Sequence, residues 1–123
     1  MNMPAPIVFF DIAGEDSAVL QAFYSAVFNW NVAQDGGFST SVLSPTISPA
    51  TLMGVIRQDP AETLFYLGVE DIASKMLEIV EKGGAIDQAR FEVPDVAVVG
   101  LFKDPAGNRV GLVEVEGGKV KIP

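Results

Sequence analysis

The side chains in this sequence that draw chemical interest are carboxylates, phenols and guanidinium groups, since its 123 residues include neither Cys nor His. That excludes disulfides, thiolate nucleophiles, imidazole bases, Ser-His-Asp triads and metal sites built on Cys or His. The side chains with chemical reach sit in short apolar runs. Asp11 and Phe9 lie in Ile7-Val8-Phe9-Phe10-Asp11-Ile12, Tyr66 in Leu64-Phe65-Tyr66-Leu67-Gly68-Val69, and Arg109 opens the run to Val115. Asp11 could act as a base or hold a cation. Arg109 could grip a ligand carboxylate through its forked donors. Phe9 and Tyr66 could stack on an organic molecule. Gly54 and Gly111 would leave space for a ligand over their strands, or mark a bulge or a close backbone approach. The other side chains also have structural alternatives: a solvated strand end for Asp11, a surface turn for Arg109, core aromatics for Phe9 and Tyr66. Gly36-Gly37, Gly83-Gly84 and Gly117-Gly118 lack the spacing and the Lys of a phosphate-binding loop.

These residues need elements to position them, and the sequence supplies one unit twice. Residues 7–12 read as a strand, followed by a turn at Ala13-Gly14-Glu15. Asp16 is a helix N-cap, since its carboxylate can accept a free backbone N–H of the first turn. Val19, Phe23 and Val27 recur at intervals of four with Leu20, Tyr24 and Phe28 beside them, predicting a wide apolar helix face. Strands are expected near residues 30–34, 38–43 and 51–57, with a loop over 45–49, and Trp30 is expected to plug the core. The second half repeats the order. Residues 64–69 form a strand, Asp71 the N-cap, and Ile72, Met76 and Val80 with Leu77 the helical stripe. Gly83-Gly84 ends that helix. Strands follow near residues 85–92, 96–102 and 109–115, with a turn at Asp104-Pro105-Ala106-Gly107-Asn108. Phe9-Phe10 matches Phe65-Tyr66, and Met53-Gly54-Val55-Ile56 matches Val110-Gly111-Leu112-Val113. The tail from Glu116 is expected to be peripheral.

Strand alternation then assigns faces. Val8, Phe10 and Ile12, Phe65, Leu67 and Val69, Met53 with Val55, and Val110 with Leu112 are expected under the helices. The opposite face would carry Ile7, Phe9 and Asp11; Leu52, Gly54 and Ile56; Leu64, Tyr66 and Gly68; and Arg109, Gly111 and Val113. That set is mainly apolar and aromatic, which suits a small organic ligand, or a cleft filled by its own side chains, better than a bare ion.

Composition fits one compact domain over residues 1–123, with module one at about 5–58 and module two at about 62–116. Apolar residues make up 49% of the chain, enough for a sizeable core. The net charge of −8 argues against nucleic acid and anionic membranes as partners, though it is foremost a solubility feature. The sequence carries no apolar run long enough to span a membrane and no signal peptide, so a cytoplasmic location is expected.

Three segments carry a resemblance. One is Phe9-Phe10-Asp11-Ile12, then Asp16, then residues 22–30, reading AFYSAVFNW. Another is residues 102–114, reading FKDPAGNRVGLVE. Between them lie Leu67-Gly68-Val69-Glu70-Asp71-Ile72 and Glu81-Lys82-Gly83-Gly84. Together they resemble the vicinal oxygen chelate family, which comprises glyoxalases, bleomycin-resistance proteins and extradiol dioxygenases. The resemblance spans nearly the whole chain. It implies an α+β fold of two βαβββ modules forming an open barrel with helices outside. It also implies homodimers and one divalent metal held by His, Glu or Gln on the first and last strands of each module. Those positions fall on Ile7 or Phe9, Leu64 or Tyr66, Gly54 and Gly111. None is a usual ligand for Zn²⁺, Mn²⁺ or Fe²⁺, and a phenol with a pKa near 10 is a poor donor. The expected function is therefore metal-free and cofactor-free binding of a small organic molecule, of a resistance or sequestration type, with Phe9, Asp11, Gly54, Tyr66, Arg109 and Gly111 lining the cleft. The alternatives are a lyase, isomerase or dioxygenase of the same family, metal-dependent or metal-free, and a non-catalytic dimeric interaction module.

Overall fold

The computed structural model of the chain describes residues 4–34, 40–44 and 53–123. The expected loop at 45–49, the residue Leu52 and the start of the third strand at Phe38 lie outside these. The chain forms two compact units, one over Val8–Phe65 and one over Tyr66–Pro123 together with the segment up to Ile7. Their elements follow the βαβββ order twice, and the fold class is α+β.

The first unit contains β1 (Ile7–Gly14), α1 (Ser17–Phe28), β2 (Asn31–Gln34), β3 (Thr40–Ser44) and β4 (Met53–Gln58), ordered β2-β3-β4-β1. β2/β3 and β3/β4 are antiparallel, while β1 and β4 run parallel. Parallel neighbours need a long connection, and the helix with two strands supplies it. Asp16 caps α1 by accepting the Val19 N–H at 3.2 Å, as its position predicts. Asn29 ends the helix with φ 58° and donates its N–H to the Ser25 carbonyl. Asparagine tolerates that left-handed conformation.

The direction of α1 differs from expectation. Ser17 is buried, and Leu20, Gln21 and Tyr24 are half-buried, whereas Val19, Phe23 and Val27 are 61%, 51% and 56% exposed. Apolarity does not set the direction, since polar Ser17 and Gln21 turn inward while the apolar stripe is left to solvent. Specific contacts set it instead. The Ser17 hydroxyl donates to Gln58 at 3.3 Å, Leu20 packs at Gly14, and Tyr24 stacks on Trp30 with centroids 4.8 Å apart. Trp30 also meets Phe10 edge-on at 5.7 Å, so it joins helix to sheet within the module.

β5 (Glu62–Val69) leads into the second unit, which holds α2 (Ile72–Glu81), β6 (Ala85–Val93), β7 (Ala97–Lys103), β8 (Arg109–Glu116) and β9 (Lys119–Val120). Its strand order is β5-β8-β7-β6, with β9 paired to β8. Asp71 caps α2 through the Ser74 N–H at 3.1 Å. Ile72 and Met76 are buried with Val69, Val98 and Leu112, and Ile79 packs against them. Full burial of an aliphatic side chain of this kind contributes about 2 kcal/mol. Val80 and Leu77, expected on that stripe, are 50% and 73% exposed, because Ile79 occupies the inward position above Met76. Gly83, at φ 102°, donates to the Val80 carbonyl and Gly84 to that of Ile79, closing the helix. The tail was expected to be merely peripheral, but it folds back. Gly117 and Gly118, both at positive φ, make a two-residue hairpin turn into β9. Among the described residues no helix is long and apolar enough to cross a membrane.

Candidate functional site

Register decides which side chains share a face. In the first unit Phe10 pairs with Gly54, Asp11 with Val55, Ile12 with Ile56 and Gly14 with Gln58. Paired residues on parallel strands point the same way. Phe10, Ile12, Gly54, Ile56 and Gln58 therefore face α1. A Cβ built on Gly54 would lie 2.4 Å from the Phe10 ring, so the glycine accommodates an aromatic beneath the helix. Gly54 was expected on the opposite face as a cleft floor, and the register corrects this by one residue. Val55 exchanges faces with it.

The face away from α1 carries Phe9, Asp11, Ala13, Val55 and Arg57. Asp11 is 4% exposed, not the solvated strand end its polarity suggested. The Arg57 Nε donates to both its oxygens at 3.1 Å. Arg57 also donates to Glu62 at 3.0 Å and to Asp59. Burial alone would lower the Arg57 pKa, but Asp11, Glu62 and Asp59 together raise it above its ordinary value. Arg57 thus engages both carboxylate oxygens, and a proton would have to compete with it for Asp11.

In the second unit Tyr66 pairs with Gly111, Leu67 with Leu112, Gly68 with Val113 and Val69 with Glu114. Leu67, Val69, Leu112 and Glu114 face α2, while Tyr66, Gly68, Gly111 and Val113 face away from it. A Cβ at Gly111 would lie 2.2 Å from the Tyr66 ring. The phenol thus lies flat over the glycine backbone, half-buried, with buried Val113 and Leu101 on the same face. Arg109 is on this face too, at the start of β8, and its Nε donates to Asp87 at 2.8 Å. That hydrogen bond holds the Asp87 carboxyl below the usual carboxylate range. The sequence placed Tyr66, Gly111 and Arg109 together, and the structure brings them to one face.

Sequence reasoning gave Glu114 no role. It is 4% exposed and lies at the N-terminus of α2. It accepts the Ile72 N–H at 3.0 Å and two Arg90 donors at 2.9 and 3.2 Å, and the Lys121 ammonium is 3.7 Å away. The Arg90 hydrogen bond lowers the Glu114 pKa most. Burial opposes this, and the Ile72 N–H and Lys121 reinforce it. The available signal was the run Val110–Val113, whose alternation turns Glu114 toward the helix.

Solved structures provide the comparison. A hypothetical protein from Bacillus halodurans superposes with a TM-score of 0.66 at 11% identity, covering 93% of this chain and 96% of that one. A methylmalonyl-CoA epimerase in complex with methylmalonyl-CoA and NH4+ gives 0.65 at 17% identity, covering 97% and 99%. A glyoxalase/bleomycin resistance protein/dioxygenase superfamily member from Vibrio splendidus gives 0.62 at 18%, covering 90% and 99%. The chain has the vicinal oxygen chelate fold. At these identities the likeness is one of fold. No protein-family model matches the sequence, and no curated protein matches it.

The vicinal oxygen chelate fold implies a divalent metal on the faces away from the helices, so the donors there decide the fit. Of the residues just placed on those faces, Asp11 is the carboxylate, and Arg57 engages both its oxygens. Tyr66 offers a phenol, and Gly111, Val113 and Val55 offer no side-chain donor. Glu114 points to the other side, into Ile72 and Arg90. Among the described residues no group of three or more acidic, His or Cys side chains is arranged to hold a metal. The residues present do not fit the metal that the fold implies.

Proposed function

We propose that this protein binds a small organic molecule, without a divalent metal, on the face of the second module that carries Tyr66, Gly111 and Arg109. The observation supporting this is the Tyr66 ring laid over Gly111. It sets a half-buried aromatic surface beside apolar Val113 and Leu101, with a guanidinium two residues along β8. Such a surface suits a ligand with a flat or apolar body and an acidic group, which would compete with Asp87 for Arg109. The epimerase neighbour was solved with methylmalonyl-CoA, a molecule bearing a carboxylate. The role is binding or sequestration, since Asp11 is committed to Arg57.

Thermal-shift screening of small carboxylic acids and aromatic compounds, followed by calorimetric titration, tests this. Hits are expected to stabilise the chain and to bind at least about tenfold more weakly to Tyr66→Ala, a loss of about 1.4 kcal/mol. Gly111→Ala should weaken the same hits, because its Cβ displaces the ring. Zn²⁺, Mn²⁺ and Fe²⁺ should leave the melting temperature unchanged. Hits that bind both variants as they bind the parent chain, or stoichiometric metal binding, would refute the proposal.

A further inference from the structure

Asp87 stands at an irregularity of β6. Ile86 pairs with Phe102 and Gln88 with Leu101, so two steps along β6 match one step along β7, and Asp87 is the extra residue. A bulge of this kind re-aims a side chain, and bulges are over-represented beside functional sites. This one lies in the row of the Tyr66 face, because Gln88 pairs with Leu101, Leu101 with Gly111, and Gly111 with Tyr66. Arg109 precedes Gly111 by two residues on β8, about 7 Å along the strand. Its Nε donates to the Asp87 carboxylate at 2.8 Å. Lys103 pairs with both Arg109 and Ala85, so it shares their face, and its charge also acts on Asp87.

The ion pair is built to open. The Arg109 and Asp87 side chains are 31% and 26% exposed, so water and ligands reach both. Residues 85–90 of β6 are exposed and β6 stands at the end of the strand order, so no core residue has to move with Asp87. An ion pair at such a surface contributes little to stability. Glu114 is buried by contrast, and Ile72 and Arg90 hold it. Asp87 presents to Arg109 the same chemical group that an acidic ligand brings. The acid of a ligand must therefore displace Asp87, or share the guanidinium with it against the repulsion of two carboxylates. Its apparent affinity is scaled by the fraction of molecules in which Asp87 has released Arg109. A neutral ligand resting on Tyr66 meets no such competition.

We infer that Asp87 is an internal competitor that sets the specificity of this face, holding the Arg109 subsite until the carboxylate of an aromatic or apolar organic acid displaces it. The inference rests on the proposed binding role of the Tyr66 face. Calorimetric titration of the full chain with phenylacetate, and with its neutral isostere phenylacetamide, tests it. Asp87→Ala should tighten phenylacetate binding about fivefold, the scale of an exposed ion pair, and leave phenylacetamide binding unchanged. Adding Arg109→Gln to Asp87→Ala should abolish that gain. Glu92→Gln removes an exposed charge from the same strand and should change neither ligand, which separates a local effect from one of net charge. Equal phenylacetate affinity in the parent chain and Asp87→Ala overturns the inference while leaving the site in place. So does a gain that persists in the Arg109→Gln background or appears equally in Glu92→Gln. Phenylacetamide binding with no phenylacetate binding to either chain overturns it as well. If neither compound binds either chain, the inference falls together with the proposed site.

Discussion

Replacing Glu114 by Gln keeps the shape of the side chain and removes its charge. In the native fold Glu114 is 4% exposed and accepts from the Ile72 N–H and from Arg90 Nε and Nη2. A Gln offers one oxygen and one NH₂, so an amide donor must face either the Ile72 N–H or an Arg90 N–H. At least one hydrogen bond to a charged group is lost. Bonds of that type contribute about 1.5–3 kcal/mol, and Arg90, being partly exposed, recovers solvation when released. The expected loss is therefore about 2 kcal/mol at neutral pH. For a chain of this length that corresponds to a melting temperature lowered by about 8 °C. The pH dependence follows from linkage. The folded-state pKa of Glu114 is depressed, so its stabilisation is complete above the ordinary glutamate pKa of about 4.3 and is lost as pH falls through the depressed value. The gap between parent and Glu114→Gln should be widest at pH 6–7 and shrink in acid. Calorimetry at pH 3 to 7 measures it. A gap below 1 kcal/mol at pH 7, or one that stays constant down to pH 3, would refute the assignment of Glu114 as the charged clasp on α2.

Arg57→Met should destabilise the first module by about 3 kcal/mol, because it leaves the buried Asp11 carboxylate without its cation, and Asp11→Asn in the same background should restore part of the loss. Urea unfolding decides this, and a single-variant loss below 1 kcal/mol contradicts it. Gly54→Ala should cost about 1–3 kcal/mol by driving a methyl group into the Phe10 ring, with less cost in a Phe10→Leu background. A neutral Gly54→Ala would mean that Gly54 does not lie under Phe10.

The element order was legible because its signals are local. Asp16 and Asp71 precede their helices and cap them, and the glycine pair after α2 ends it. Face assignment was legible where one alternation differs from the other. In β8 the residues on both sides of Gly111 are large, and Tyr66 and Gly111 were placed together. In β4 both alternations are apolar or small, so nothing in Met53-Gly54-Val55-Ile56 fixed the phase, and matching it to Val110–Val113 slid the repeat by one residue. Pairing of Gly14 with Gln58 and of Val69 with Glu114 sets the true correspondence. The Asp11–Arg57 pair joins residues far apart in the chain, so no local pattern announces it. The direction of α1 was hidden because its polar row, Ser17 and Gln21, turns inward to partners such as Gln58 while its apolar stripe is exposed.

With the repeat in its structural phase, the two modules differ in a way that bears on chemistry. The N-caps and strand pairing make Ser17 equivalent to Ile72, Gln58 to Glu114, Asp11 to Tyr66 and Arg57 to Val113. Module one ties its helix to β4 with a neutral Ser17–Gln58 bond and carries its ion pair, Asp11–Arg57, on the opposite face. Module two does the reverse. Its charged clasp, Glu114–Arg90, lies under the helix, and its opposite face has become phenol, glycine and valine. A buried carboxylate needs a partner wherever it sits, and each module has met that need on a different side of its sheet. Asp11 and Glu114 are thus each engaged by a guanidinium within their own module. Under the proposed binding role, the face of the second module that would receive a ligand is the aromatic and apolar one at Tyr66, where Arg109 would supply the polar contact.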